Sequence, residues 1–186
     1  MKVLLVSGHS DLKSNSVANK TIIDEFHRLM PEAEIDLLDE LYPDYRIDVE
    51  AEQKKLVKAD VVVLQFPVFW YSQPGLMHRW MEETFVHGFA HGSTGKALVG
   101  KNLIASFTTG APKEAYTKEV IGYTVEEFIM PAVQATAFLT GMQVLEPVIT
   151  LGVSYQSRTN PKSIADMERR AKDHAQRLVD KINNIK

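Results

Sequence analysis

The sequence predicts an α/β fold: a doubly wound, five-stranded parallel sheet of order 2-1-3-4-5 with helices on both faces. Two observations carry that expectation. Short apolar runs alternate with longer stretches of helical periodicity, the pattern of successive βαβ units. The runs themselves, such as Val3-Leu4-Leu5-Val6 and Val61-Val62-Val63-Leu64, are continuous rather than alternating. Strands buried on both faces need that composition.

Strand one is Val3 to Val6. Ser16 is placed to cap a helix over about Val17 to Leu29, its hydroxyl accepting from an otherwise free N–H. Glu34 to Leu38 forms strand two, where alternation of apolar and polar residues suits a position nearer the sheet edge. An irregular stretch, Tyr42 to Asp48, precedes a helix over about Val49 to Lys58, and strand three is Val61 to Gln65. The next helix, about Pro74 to Phe85, presents Leu76, Met77, Trp80, Met81 and Phe85 at helical spacing, so these form a core face. His87 to Gly95 is a long glycine-rich loop of the kind that carries function in compact domains. Strand four is Asn102 to Phe107. A helix over about Thr124 to Thr140 ends at Gly141 as C-cap, and strand five spans Val144 to Leu151. Asn160-Pro161 opens a last helix that runs nearly to Asn183, with proline at the first helical position. With no repeat, linker or low-complexity tract, residues 1–186 read as one domain.

Composition narrows the function classes. A chain of 186 residues, 45% apolar and 24% charged, is an ordinary soluble globular sequence with enough length for a core. A net charge of −3 argues against a nucleic-acid or membrane surface. Any anionic ligand must then be held by local donors. Zero cysteines remove disulfides, thiolate catalysis and thiolate-bound metal. Met1 leads straight into an apolar strand without a signal-peptide pattern, so a cytoplasmic protein is expected. His78, His87 and His91 cluster in sequence, but Gly88 and Gly92 break any metal-binding helix, and no HExxH pattern or nucleophile elbow occurs; no metal is expected. Asp44, Asp48, Glu50 and Glu52 read as a solvated acidic run.

The chemistry concentrates in the loops after strands one, three and four. In a sheet of this order those loops converge at the topological switch point, where open α/β sheets bind ligands. The first loop, Ser7 to Ser16, has a single glycine at Gly8 and so matches neither GxGxxG nor the P-loop. It offers hydroxyls and asparagines around a helix N-terminus, which suits a phosphate; a merely well-capped loop would look the same. The second, Phe66-Pro67-Val68-Phe69-Trp70-Tyr71-Ser72-Gln73-Pro74, puts three aromatics at a strand end. Such a loop either packs on its own core or waits for something flat, or a partner subunit, to cover it. The third, Thr108-Thr109-Gly110-Ala111, supplies hydroxyls and a glycine that permits close backbone approach. A phosphate end, an aromatic wall and polar donors together describe a site for flavin mononucleotide (FMN).

These residues also resemble a known family. Gly8-His9 with Ser16-Val17-Ala18-Asn19, Gln65 through Ser72, Thr108-Thr109-Gly110 and Gly141 through Pro147 are similar to the flavodoxin-like NAD(P)H:quinone oxidoreductases. That family includes DT-diaphorase and the ancillary flavoproteins of glutathione-gated potassium efflux systems. The likeness runs over almost the whole chain and implies a flavodoxin-like flavin-binding domain in a homodimer. It implies two-electron ping-pong hydride transfer from NAD(P)H, by way of flavin, to a quinone or similar small acceptor. His9, Ser16, Val17, Ala18 and Asn19 would then bind the flavin phosphate, and Pro67, Val68, Phe69 and Trp70 would line the ring. Thr108, Thr109, Gly110 and Ala111 would contact it from the third loop. Tyr116 stands where such enzymes carry a catalytic tyrosine, while the histidine they place six residues on is replaced by Gly122. Because members that bind FAD use extra chain for the adenosine and this sequence ends at Lys186, FMN is expected over FAD. The resemblance leaves a second reading: a regulatory flavoprotein docked on a potassium efflux transporter in the membrane, with Tyr42 to Asp48 as a docking segment. A one-electron flavodoxin carrier fits less well, since such carriers are strongly acidic.

Overall fold

β1 (Val3–Ser7) is buried along its whole length and lies inside the sheet, with β2 (Glu34–Leu37) and β3 (Val61–Pro67) parallel on either side. The structure is a computed structural model describing residues 1–185. Between β1 and β2 lie a single helical turn, α1 (Leu12–Asn15), and the longer α2 (Ala18–Leu29). The short α3 (Leu38–Leu41) and α4 (Val49–Lys58) lead into β3; α5 (Gly75–Thr84) leads into β4 (Asn102–Thr108). After β4 come α6 (Lys118–Ile121) and α7 (Val125–Thr140), then β5 (Gln143–Val144), β6 (Val148–Thr150) and α8 (Pro161–Asn183). The strand order is β2-β1-β3-β4-β5, with β6 also paired to β4, matching the 2-1-3-4-5 expectation.

Side-chain alternation along the strands feeds two cores. Leu4, Val6, Val62, Leu64, Phe66 and Phe107 pack with Leu56, Leu76, Met77, Trp80 and Ile129 from α4, α5 and α7. Val3, Leu5, Val61, Val63 and Ile104 pack against α2 and α8, through residues such as Ile22, Phe26, Ala175 and Leu178. Met81 and Phe85 border the first core, as their spacing predicts.

Four local expectations change. The fifth strand is two pieces: Gln143 and Val144 pair with Asn102 and Leu103, while Val148 to Thr150 pair with Ser106 to Thr108. Leu145 still donates to the Leu103 carbonyl at 2.9 Å, but Pro147 has no N–H and the ladder lapses there. α2 starts at Ala18, one residue later than expected, although the Ser16 hydroxyl does accept from the Asn19 N–H at 3.0 Å. The acidic run is not uniformly solvated. Asp48 caps α4 by accepting from the Ala51 N–H, while Glu52 is completely buried. The His87–Gly95 loop folds back on itself, with the Gly88 N–H donating to the His91 carbonyl at 2.9 Å, away from the switch point.

Candidate active site

Three loops predicted to converge do so at the C-terminal ends of β1, β3 and β4, and a fourth, after β6, joins them. In the first loop, Gly8 is fixed by packing. A Cβ there would fall 2.7 Å from the Met77 Cβ of α5, so only glycine lets the chain pass. His9 follows, 5% exposed. Its Nδ1 accepts from the Asp11 N–H at 3.0 Å. Burial lowers its pKa against the opposing pull of Asp39 and Asp11, so the ring is neutral with its proton on Nε2. Asp11 caps α1 and the Ser16 hydroxyl caps the start of α2. Among the described residues, the Val17 and Ala18 N–H groups at the head of α2 reach no acceptor in the chain. They are the free positive end of a 12-residue helix.

The second loop begins where the Val68 N–H donates to the Thr108 carbonyl at 2.8 Å, locking it to the end of β4. Phe69 and Ser72 then exchange both backbone hydrogen bonds, each 3.0 Å. The two residues between them, Trp70 and Tyr71, are left-handed, with φ of 48° and 62°. This is a two-residue turn usually made by Asn-Gly; aromatics there cost about 1–3 kcal/mol each. The strain presents Phe69, whose ring meets the His9 ring nearly edge-on at 5.9 Å between centroids.

In the third loop, the Thr109 hydroxyl donates to the Ala111 carbonyl at 2.7 Å, and its N–H donates to the Thr150 carbonyl. The Gly110 and Ala111 N–H groups donate to nothing in the chain among the described residues. Gly110 has no conformational need to be glycine: a Cβ there would meet only the Ser154 Cα, at 3.9 Å. What the bare position provides is room. From the fourth loop, the Tyr155 hydroxyl donates to the Asn15 Oδ1 at 3.1 Å, and the Arg158 guanidinium lies 3.1 Å above the Tyr155 ring.

Together these loops enclose a cavity of about 370 Å³, within the range of small-molecule sites. It is lined by His9, Ser16, Val17, Ala18 and Asn19 from the first loop, Pro67, Val68 and Phe69 from the second, and Thr108 and Gly110 from the third. Four expected residues lie outside the lining. Trp70 is 93% exposed on the far side of its turn. Thr109 points into the protein through the bonds given above, and Ala111 lies beyond the lining, its carbonyl also accepting from the Gly152 N–H. Tyr116 packs at a tilt on Phe128 of α7, 5.8 Å between centroids. Ser10, Asp11 and Asn15 of the first loop also line it, and the cavity adds residues the sequence reading passed over: Val153, Ser154, Tyr155, Arg158 and Met167. The available signal was position, since the loop after the last strand opens at the same sheet edge. Arg158 is the cation that the near-neutral composition did not predict. Unpaired N–H groups at a helix head, an arginine, an aromatic face and a bare glycine suit a flat heterocycle bearing a phosphate. Among the described residues, no group of three or more His, Asp or Glu side chains is arranged to hold a metal ion.

Residues 1–175 match the protein family described by a flavodoxin-like fold. The chain is 37% identical over 145 residues to the glutathione-regulated potassium-efflux system ancillary protein KefF of Enterobacter sp. (strain 638), covering 78% of this chain and 80% of that protein. It is 36% identical over 170 residues to the uncharacterized NAD(P)H oxidoreductase YrkL of Bacillus subtilis (strain 168), covering 89% and 94%. Among solved structures, general stress protein 14 of Treponema denticola in complex with FMN superposes with a TM-score of 0.86 at 28% identity, over 97% of this chain and 99% of that one. An NADPH-quinone reductase from P. pentosaceus superposes with a TM-score of 0.74 at 25% identity, over 94% and 98%.

Proposed function

The chain belongs to the flavodoxin-like fold family, and from that premise we propose that it is a flavin-dependent NAD(P)H:quinone oxidoreductase that binds FMN. The observation that carries the reading is the set of unpaired backbone donors, at the head of α2 and at Gly110, on residues that line one cavity with an aromatic wall. FMN, when bound, supplies the two-electron chemistry, taking hydride from NAD(P)H and passing the electrons to a quinone-like acceptor.

The protein's part is to bind, orient and tune. Val17 and Ala18 N–H, the Ser16 hydroxyl and the Nε2–H of neutral His9 form the anion end, with Arg158 as the fixed charge. Phe69, held by its strained turn, and Pro67 and Val68 make the apolar wall against which a planar ring lies. The Gly110 N–H, already free, would donate to a bound flavin and favour the negative charge of its reduced form without reorganisation. Nicotinamide and acceptor would use the same open face in turn, so parallel double-reciprocal plots are expected and intersecting ones count against shared occupancy. Tyr116, packed on Phe128, would reach the reaction only from another subunit.

We further propose a homodimer. The outer face of α7 leaves Phe138 90% and Leu139 61% exposed at its last turn, and Val120 and Tyr123 are exposed before its first; a second copy is the occupant proposed for these apolar surfaces. Among the described residues no helix is long and apolar enough to cross a membrane, and a cytoplasmic setting belongs to this proposal. The likeness to KefF favours one further reading, service to a potassium efflux system. Capture of such a transporter from membranes, with activation independent of turnover, would establish it.

The deciding experiment is the absorption spectrum of freshly purified protein, followed by chromatography of the flavin released on denaturation. Released FMN with NAD(P)H-dependent quinone reduction is the expected result. FAD would overturn the choice of cofactor, and a colourless protein that takes up neither flavin would overturn the function.

A further inference from the structure

A line of buried hydrogen bonds runs through the sheet from α8 to the cavity. Arg177 Nη2 donates to the Thr150 hydroxyl oxygen at 3.0 Å. The Thr150 oxygen lies 2.9 Å from His174 Nδ1, and His174 Nε2 lies 2.7 Å from the Ser106 hydroxyl. Ser106 in turn donates to Gln65 Oε1 at 2.7 Å, Gln65 Nε2 to Asn19 Oδ1 at 2.8 Å, and Asn19 Nδ2 to the Thr108 hydroxyl at 3.0 Å. Ser106, Gln65 and His174 are wholly buried, and Asn19, Thr108 and Thr150 nearly so. Asn19 and Thr108 line the cavity.

The bonds from Ser106 through Gln65 and Asn19 to Thr108 set the direction of those before them. Ser106 spends its one hydrogen on Gln65 Oε1, so its contact with His174 Nε2 is one it accepts, and Nδ1 of the neutral ring accepts from the Thr150 hydroxyl, whose oxygen also accepts from Arg177. His174 then carries its proton on Nε2 and donates to Ser106, whose hydrogen goes to Gln65. Burial, reinforced by the Arg177 charge, drops the His174 pKa to about 3, so the ring is neutral throughout the physiological range. At the far end Thr108 accepts from Asn19, and its own hydrogen has no acceptor among the described residues.

We infer that this one-way chain makes the Thr108 hydroxyl a committed donor into the cavity, and that His174, which never touches the ligand, is a positioning residue for flavin binding. The inference rests on the flavin reading proposed above. Bonds aligned head to tail polarise one another, so Thr108 donates more strongly than an isolated hydroxyl. Without the chain, the Asn19 and Gln65 amides are free to turn over and Thr108 is free to accept instead.

The test combines FMN affinity, read by quenching of flavin fluorescence, with nitrogen NMR of the histidines. Wild type should bind FMN, and its His174 should show the Nε2–H tautomer without titrating between about pH 5 and 8. Thr108→Val should weaken FMN about 10-fold. Ser106→Ala, and Thr150→Val as a gentler cut further up the chain, should each weaken it about 3-fold. In the Thr108→Val background neither should add anything, because the donor they serve is gone. An Nδ1–H tautomer, unchanged affinity in both remote variants, or losses that multiply with Thr108→Val would overturn the chain while leaving the flavin reading intact. Failure of wild type to bind FMN, with His174 still showing Nε2–H, would overturn the flavin reading and with it the role of Thr108.

Discussion

Gly110 separates binding from folding. Its backbone is one any residue adopts, and a Cβ would touch only Ser154 Cα at ordinary contact distance. Gly110→Val should therefore leave the melting temperature within about 2 °C of wild type while lowering FMN affinity at least about 10-fold, since the added methyls enter the space kept for ligand. Melting and flavin titration on one preparation check both halves; retained affinity would remove Gly110 from the site. Trp70 inverts the relation, because there the backbone is left-handed and the side chain is free in solvent. Replacing Trp70 with glycine should raise stability by about 1 kcal/mol, measured by urea unfolding, by releasing the left-handed penalty. Residue identity was legible in the sequence at this scale, but side-chain direction was not. Thr108 and Thr109 are adjacent at a strand end and face opposite ways, and no property of threonine tells which faces the ligand. The family resemblance implies that Trp70 lines the ring. A two-residue turn sends it outward and leaves Phe69 on the wall.

At the scale of elements, periodicity did most of the work. α5 and α8 were readable because their apolar residues recur every three to four positions and their ends carry Pro or Asn. The break between β5 and β6 was also written in the chain, at Pro147, but the apolar pairs on either side, Val144-Leu145 and Val148-Ile149, read as one strand. The turn at Tyr155–Thr159, which brings Arg158 to the cavity, has no periodicity at all. Only its place after the last strand marks it. α7 makes the clearest prediction of this kind. It is held at its start by a capping box, Thr124 with Glu127, so its outer face can be altered without unravelling it. Phe138→Glu, on that face, should convert the dimer to a monomer in light scattering at micromolar concentration without changing the circular dichroism. A monomeric wild type, or a dimer that survives the substitution, would place the subunit contact elsewhere.

For the whole molecule, the pH dependence of stability should be dominated by one buried polar cluster between β2, α4 and α5. Glu52 accepts from Tyr42 Oη, Trp80 Nε1 and Lys55 Nζ, each at 2.7 Å, and Lys55 also reaches Asp36 Oδ1 at 2.7 Å. Burial pushes the Glu52 carboxyl up, but its three donors outweigh that and hold it below its usual 4.5. Asp36 shares only Lys55, and its Oδ2 has no partner, so burial dominates and raises it from 3.8 to about 7. The signs are opposite. Glu52 contributes stability above its unfolded value near 4.5, lost as pH falls through the folded one. Asp36 binds a proton in the folded state across the window from 3.8 to about 7, so its contribution is lost as pH rises through that window. Together they place this cluster's optimum near the bottom of that window rather than at neutrality. Asp36→Asn keeps an acceptor for Lys55 but removes the titration. It should gain on wild type by at least about 1 kcal/mol between pH 5 and 8 in urea unfolding, one pKa unit's worth. Parallel curves for the two proteins would mean that Asp36 is ionised throughout, with Lys55 sufficient to hold both carboxylates.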